Sequence, residues 1–185
     1  RVFVAFAYLF LFAPIFVVVR FAGVHDDLSL DLDDLESQLS ERTRVVAFPI
    51  ASNAVGTTPD VARVVELAHG VGALAWADAV HYGPHGRIDV SGWDVDVLLC
   101  SPYKFCGPHL GVLAADPDLL AGLRPDKLLP SSDVVPERFE LGTLPYELLA
   151  GTTAAVDYLA GLGAGEDRAA RLTAAFARLH RHETR

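Results

Sequence analysis

The chain has 185 residues, 51% apolar and 21% charged, with 24 acidic against 15 basic side chains, a formal charge of −9 and a pI near 5.1. That is enough apolar chain to bury a core, which excludes wholesale disorder. The acidic balance excludes a surface built to neutralise phosphate backbones, so nucleic acid is not expected as a partner.

In chain order, the first segment comes as an anomaly. Val2 to Val19 carries no charge, and six of the ten phenylalanines fall in the first 21 residues. Three readings of residues 1–23 are open. Residues 2–19 reach the length of a membrane span, although Pro14 interrupts them. Two core strands with a turn near Ala13-Pro14 fit as well. The third is a stretch foreign to the native sequence. A membrane is therefore an unlikely partner, left open for residues 2–19. Methionine is absent throughout, even at position 1, so the chain is expected to be a piece of a longer one.

From residue 24 the pattern is that of an α/β protein. Leu28, Leu32, Leu35 and Leu39 recur at helical spacing, and the acidic run Asp26 to Glu36 reads as the solvated face. Val45–Ile50 is an apolar strand. Thr58-Pro59 reads as a helix start, Val61, Val64, Val65 and Ala68 as its buried face, and Gly70 and Gly72 as its stop. Strands are expected over Ala73–Ala77, Val95–Cys100 and Leu110–Ala115, and a loop over Leu119–Pro136. Helices are expected over about 146–162 and 166–180, with Ala169, Leu172, Phe176 and Leu179 on one side of the second. The fold class is α/β, three-layer, a mainly parallel sheet flanked by helices.

In such sheets ligands collect beyond the carboxyl ends of the strands. The residues there are polar: Ser52 and Asn53, then Asp78 and His81, then Ser101, Tyr103 and Lys104. Only two of the basic residues are lysines, Lys104 and Lys127. Adjacent strands lie about 4.8 Å apart, so Asp78 and Lys104 on neighbouring tips flank one small ligand. A lysine there forms an imine with a carbonyl compound, and a carboxylate holds a proton on a ring nitrogen; together they suit pyridoxal 5'-phosphate (PLP). His81 and His85 could be read as metal ligands, but Gly83-Pro84 breaks the helix that their spacing relies on, and no metal is expected. Cys100 and Cys106 form no disulfide framework, which points to a reducing, cytoplasmic setting. No Gly-x-Ser-x-Gly elbow or glycine-rich phosphate loop occurs.

Four stretches carry a resemblance: Ala51-Ser52-Asn53-Ala54-Val55-Gly56-Thr57, Ala77-Asp78-Ala79-Val80-His81, Ser101-Pro102-Tyr103-Lys104-Phe105-Cys106-Gly107-Pro108 and Phe139-Glu140-Leu141-Gly142-Thr143. In this order they resemble the class V aminotransferase group, fold-type I PLP enzymes that include cysteine desulfurases and selenocysteine lyases. The resemblance covers residues 24–163. It implies that Lys104 bonds the cofactor aldehyde and moves protons on an amino-acid substrate. Asp78 is to pair with the ring nitrogen, His81 and Asn53 to lie near the phenolic oxygen, and Ser101 and Tyr103 to hold the phosphate. Gly142 and Thr143 are to reach the phosphate of a partner subunit, which implies a homodimer. Residues 24–163 are then the cofactor-binding portion of a large domain, with 164–185 a helix leading towards a small domain. Relatives are about twice as long; the upstream phosphate cup and ring-stacking residue are missing or replaced here, as are the downstream small domain and its arginine. Neither cysteine matches the place of the desulfurase persulfide cysteine. The rival expectation is a non-catalytic α/β remnant, tethered to a membrane if residues 2–19 span one.

Overall fold

The structure, a computed structural model, describes residues 18–140 and 142–185. The expectations for residues 1–17 lie outside the described residues. Among those described, no helix is long and apolar enough to cross a membrane.

The described residues fall into two compact units, divided after Gln38. In the first, Val24 and Leu30 form an isolated antiparallel bridge, and α1 spans Leu32–Gln38. The leucine stripe is shorter than its spacing suggested. Leu28 lies outside the helix at φ +65°, because the Asp27 carboxylate accepts from the Ser29 amide and hydroxyl and turns the chain there. Those bonds hold the Asp27 carboxyl below its usual range. Asp31 caps α1 through the Asp34 amide, and Asp34 accepts from the Gly23 amide and Gln38. Three acids of the expected solvated face are thus turn and cap makers.

The second unit holds a four-stranded sheet ordered β1 (Val45–Pro49), β2 (Leu74–Asp78), β3 (Val97–Cys100), β4 (Val112–Ala115). β1 and β2 are parallel, as are β2 and β3. β4 runs antiparallel to β3, because residues 101–111 are too few for the dozen or more that a parallel crossover takes. The mainly parallel α/β expectation holds. α2 (Val61–Gly70) connects β1 to β2 and buries Val64, Val65, Leu67 and Ala68. It packs on β2, where the buried residues of one face are the small Ala75, registered with Val46 of β1, and Ala77, registered between Phe48 of β1 and Leu98 of β3. The other face buries Val97 of β3 but leaves Val45 and Leu113 each 45% exposed.

Strand ends shift by one or two residues from expectation, and two helix boundaries differ for a clear reason. The cap of α2 is Asp60, which accepts from the Arg63 amide, and Thr58-Pro59 precede the helix: a carboxylate two residues on is equally suited to the exposed amides. The expected loop from Leu119 begins inside a helix, α4 (Pro117–Gly122), capped by Asp116 with proline at its first turn. A short helix, α3 (Val90–Trp93), interrupts the connection from β2 to β3. α5 (Tyr146–Gly161) and α6 (Arg168–Glu183) pack on each other, α6 capped by Asp167. Ala175 is the buried centre of the α6 stripe, while Ala169 is exposed.

Leu98, 2% exposed in the middle of the sheet, tests this core. Leu98→Ala is expected to lower the unfolding free energy by about 2–5 kcal/mol, read as a lower urea midpoint at unchanged slope.

Candidate active site at the strand tips

β1, β2 and β3 end level with one another: Pro49 is registered with Asp78, and Asp78 with Leu99. Backbone bonds continue the alignment past the strands, Ile50 N–H to Asp78 O and Ala79 N–H to Leu99 O, both 2.8 Å. The expected polar residues therefore leave the sheet side by side.

Behind β1, Ser52 organises a tight turn. Its hydroxyl accepts from the Ala54 and Val55 amides, and its carbonyl accepts from the Gly56 amide, which leaves Asn53 exposed at the turn. At the end of β2, Asp78 is exposed, on the strand face opposite the buried Ala77. One carboxylate oxygen accepts from the Val80 amide at 2.8 Å. His81 follows, half-buried, its ring 5.3 Å from that of His85. His85 in turn pairs with Glu183 of α6 at 3.0 Å.

β3 runs through Ser101 into a 3-10 turn, Pro102–Phe105, in which the Lys104 amide donates to Ser101 O. Lys104 is exposed, with Nζ 5.2 Å from the centre of the Tyr103 ring. Cys106 takes a left-handed φ of +68° and the Gly107 amide returns to Pro102 O at 2.8 Å, so the chain doubles back. The reversal sets His109 against Tyr103, rings stacked at 4.9 Å and 16°. α5 abuts this turn, where a Cβ on Gly151 would meet Pro108 at 3.3 Å.

The segments bearing Asp78 and Lys104 touch. Gly83, buried in the loop after β2, lies so close to Phe105 that a Cβ on it would stand 3.1 Å from the phenylalanine ring. The loop after Asp78 and the turn that carries Lys104 are thus packed on each other. Among the described residues neither Asp78 nor Lys104 is in an ion pair. An exposed amine and an exposed carboxylate beyond adjoining strand ends, with the hydroxyl-bearing Ser101 and Tyr103 close in sequence to the amine, have the chemistry to suit a ring that carries an aldehyde, a basic nitrogen and a phosphate.

Gly142 and Thr143 are exposed on the approach to α5, with Gly142 at φ +76°. Cys100 is free, and burial raises its thiol above the ordinary range, which disfavours the thiolate. No group of three or more metal-ligating side chains occurs among the described residues. Sequence reasoning missed His109 as a partner of Tyr103 and Glu183 as a partner of His85. The first depends on the Cys106 turn, and the second joins residues 98 apart.

Gly107 makes the turn possible. A Cβ there would lie 2.7 Å from Pro102 Cβ and 2.9 Å from Pro102 O. Gly107→Ala is expected to open the turn and cost about 1–3 kcal/mol, measured as a lowered urea midpoint.

A family model described as aminotransferase class-V matches residues 16–182. The chain is 35% identical over 159 residues to a probable cysteine desulfurase of Streptomyces coelicolor, covering 78% of this chain and 38% of that protein. It is 37% identical over 159 residues to probable cysteine desulfurase 2 of Mycobacterium leprae, covering 78% and 37%. Among solved structures it resembles the cysteine desulfurase CsdA of Escherichia coli, with TM-score 0.73, 26% identity and coverage of 88% and 43%. The cysteine desulfurase of Thermococcus onnurineus gives TM-score 0.67, 26% identity and coverage of 83% and 41%. The chain thus spans about two fifths of the length of the curated relatives it matches.

Proposed function

The chain belongs to the class V aminotransferase family, and from that premise we propose that it carries the cofactor-binding strand tips of a PLP-dependent, cysteine-desulfurase-like enzyme acting on an amino acid. The observation that supports this reading is the packing of the loop after Asp78 on the turn that carries Lys104, with an exposed carboxylate on one segment and an exposed amine on the other. Lys104 is the residue to attach the aldehyde carbon and, once displaced by substrate, to move the proton at the substrate α-carbon. Asp78 keeps a proton on the ring nitrogen. Ser101 and Tyr103 offer hydroxyls to the phosphate, and His81 and Asn53 approach the phenolic oxygen. Bound PLP supplies an electron-withdrawing ring. Gly142 and Thr143 are assigned to the phosphate of a second subunit, which makes the working form a homodimer. The two free cysteines agree with a reducing cytoplasmic setting.

Cysteine as the amino acid is supported by the likeness to cysteine desulfurases. Neither cysteine of this chain is assigned the sulfur-accepting role. The rival reading is a non-catalytic α/β piece that keeps the motifs. Adding PLP to the chain separates the two. The enzyme reading predicts a new visible absorption band, and a colourless protein contradicts it.

A further inference from the structure

We propose that His109 is a positioning residue for the Lys104 amine, acting through the Tyr103 ring. The two aromatic rings are nearly parallel at 16° and 4.9 Å, within the range of offset stacking. Lys104 Nζ lies 5.2 Å from the centre of the same tyrosine ring, inside the reach of a cation–π contact. Tyr103 is 44% exposed, and the stacked imidazole is a contact that restrains its plane. The contact is built by the turn: the left-handed Cys106 and the Gly107–Pro102 bond reverse the chain, and residue 109 comes back beside residue 103. His109 therefore fixes the surface on which the ammonium rests before any cofactor arrives. An aromatic face attracts an ammonium and has little hold on a neutral amine, so the stacked pair keeps Lys104 on the ring and restrains its attack on electrophiles.

This inference rests on the reading of Lys104 as the reactive amine, but its test uses no PLP. The cofactor-free chain is treated with trinitrobenzenesulfonate and the two lysines are followed by peptide mass spectrometry. Lys127 serves as the internal standard because it is engaged with Asp133 at 3.0 Å and Ser131 O at 2.9 Å. His109→Ala is expected to raise the Lys104 rate relative to Lys127 by about two- to fivefold, the size of an exposed cation–π contact. His109→Phe, which keeps a stacking plane, is expected to restore the wild-type ratio, and Tyr103→Leu to speed Lys104 at least as much as His109→Ala. An unchanged ratio in His109→Ala, or a His109→Phe that behaves like alanine, overturns the proposal. Should His109→Ala lose its circular dichroism, Tyr103→Leu against His109→Phe decides by the same ratio. A failure of PLP to attach at Lys104 would sink the cofactor reading and leave this result standing; an unchanged ratio does the reverse.

Discussion

Lys104→Arg is expected to abolish covalent capture of PLP by the chain, leaving no borohydride-fixed adduct on any lysine. Arginine keeps the positive charge and its attraction to the Tyr103 ring, so the turn survives, but a guanidinium offers no neutral amine to an aldehyde. The loss should be all or none because the chain has only one other lysine. Lys127 is largely covered, with its ammonium held by Asp133 and the Ser131 carbonyl, and is a poor substitute. The measurement is the absorbance of the reduced pyridoxyl group after gel filtration. A variant that captured as much as the wild type would show that the reactive amine lies elsewhere.

Asp78→Asn is expected to weaken retention of PLP by about ten- to a hundredfold, the worth of a hydrogen bond to a charged partner. Asparagine matches aspartate in size and still offers an oxygen to the Val80 amide, the only hydrogen bond the carboxylate makes within the described residues, so the loop should be undisturbed. What is removed is the negative charge that keeps a proton on the ring nitrogen. Equilibrium titration followed by absorbance checks this, with a urea midpoint close to wild type as the control that the fold is intact. Equal affinity in the two proteins would remove Asp78 from the site.

The sheet was legible in the sequence because each of its apolar runs ends abruptly at polar residues, and the register Pro49–Asp78–Leu99 then sets those residues level. Lys104 stood out because lysine is rare in this chain and this one lies four residues beyond the end of a strand. Local competition among similar signals blurred the boundaries. Thr58 and Asp60 are both good caps two residues apart, and the carboxylate sits where the Arg63 amide is exposed. The acidic run misled because Asp27, Asp31 and Asp34 bond to neighbouring amides, and composition alone does not separate a solvated carboxylate from one closing a turn. The antiparallel course of β4 was implicit in the shortness of residues 101–111. Contacts made through a reversal or across the chain left no periodic trace: His109 on Tyr103, Glu183 on His85, and Gly83 against Phe105. These contacts pack the segments beyond the strand ends on one another and on α6.

The most direct test of the shared Asp78–Lys104 site is to incubate the wild-type chain with PLP, reduce with borohydride, digest, and map the pyridoxyl mass. The account predicts a single modified lysine, Lys104, with modification that falls away when Asp78→Asn is treated at the same limiting PLP concentration. Modification of Lys127 with Lys104 untouched, or equal capture at Lys104 with and without the Asp78 carboxylate, would contradict it.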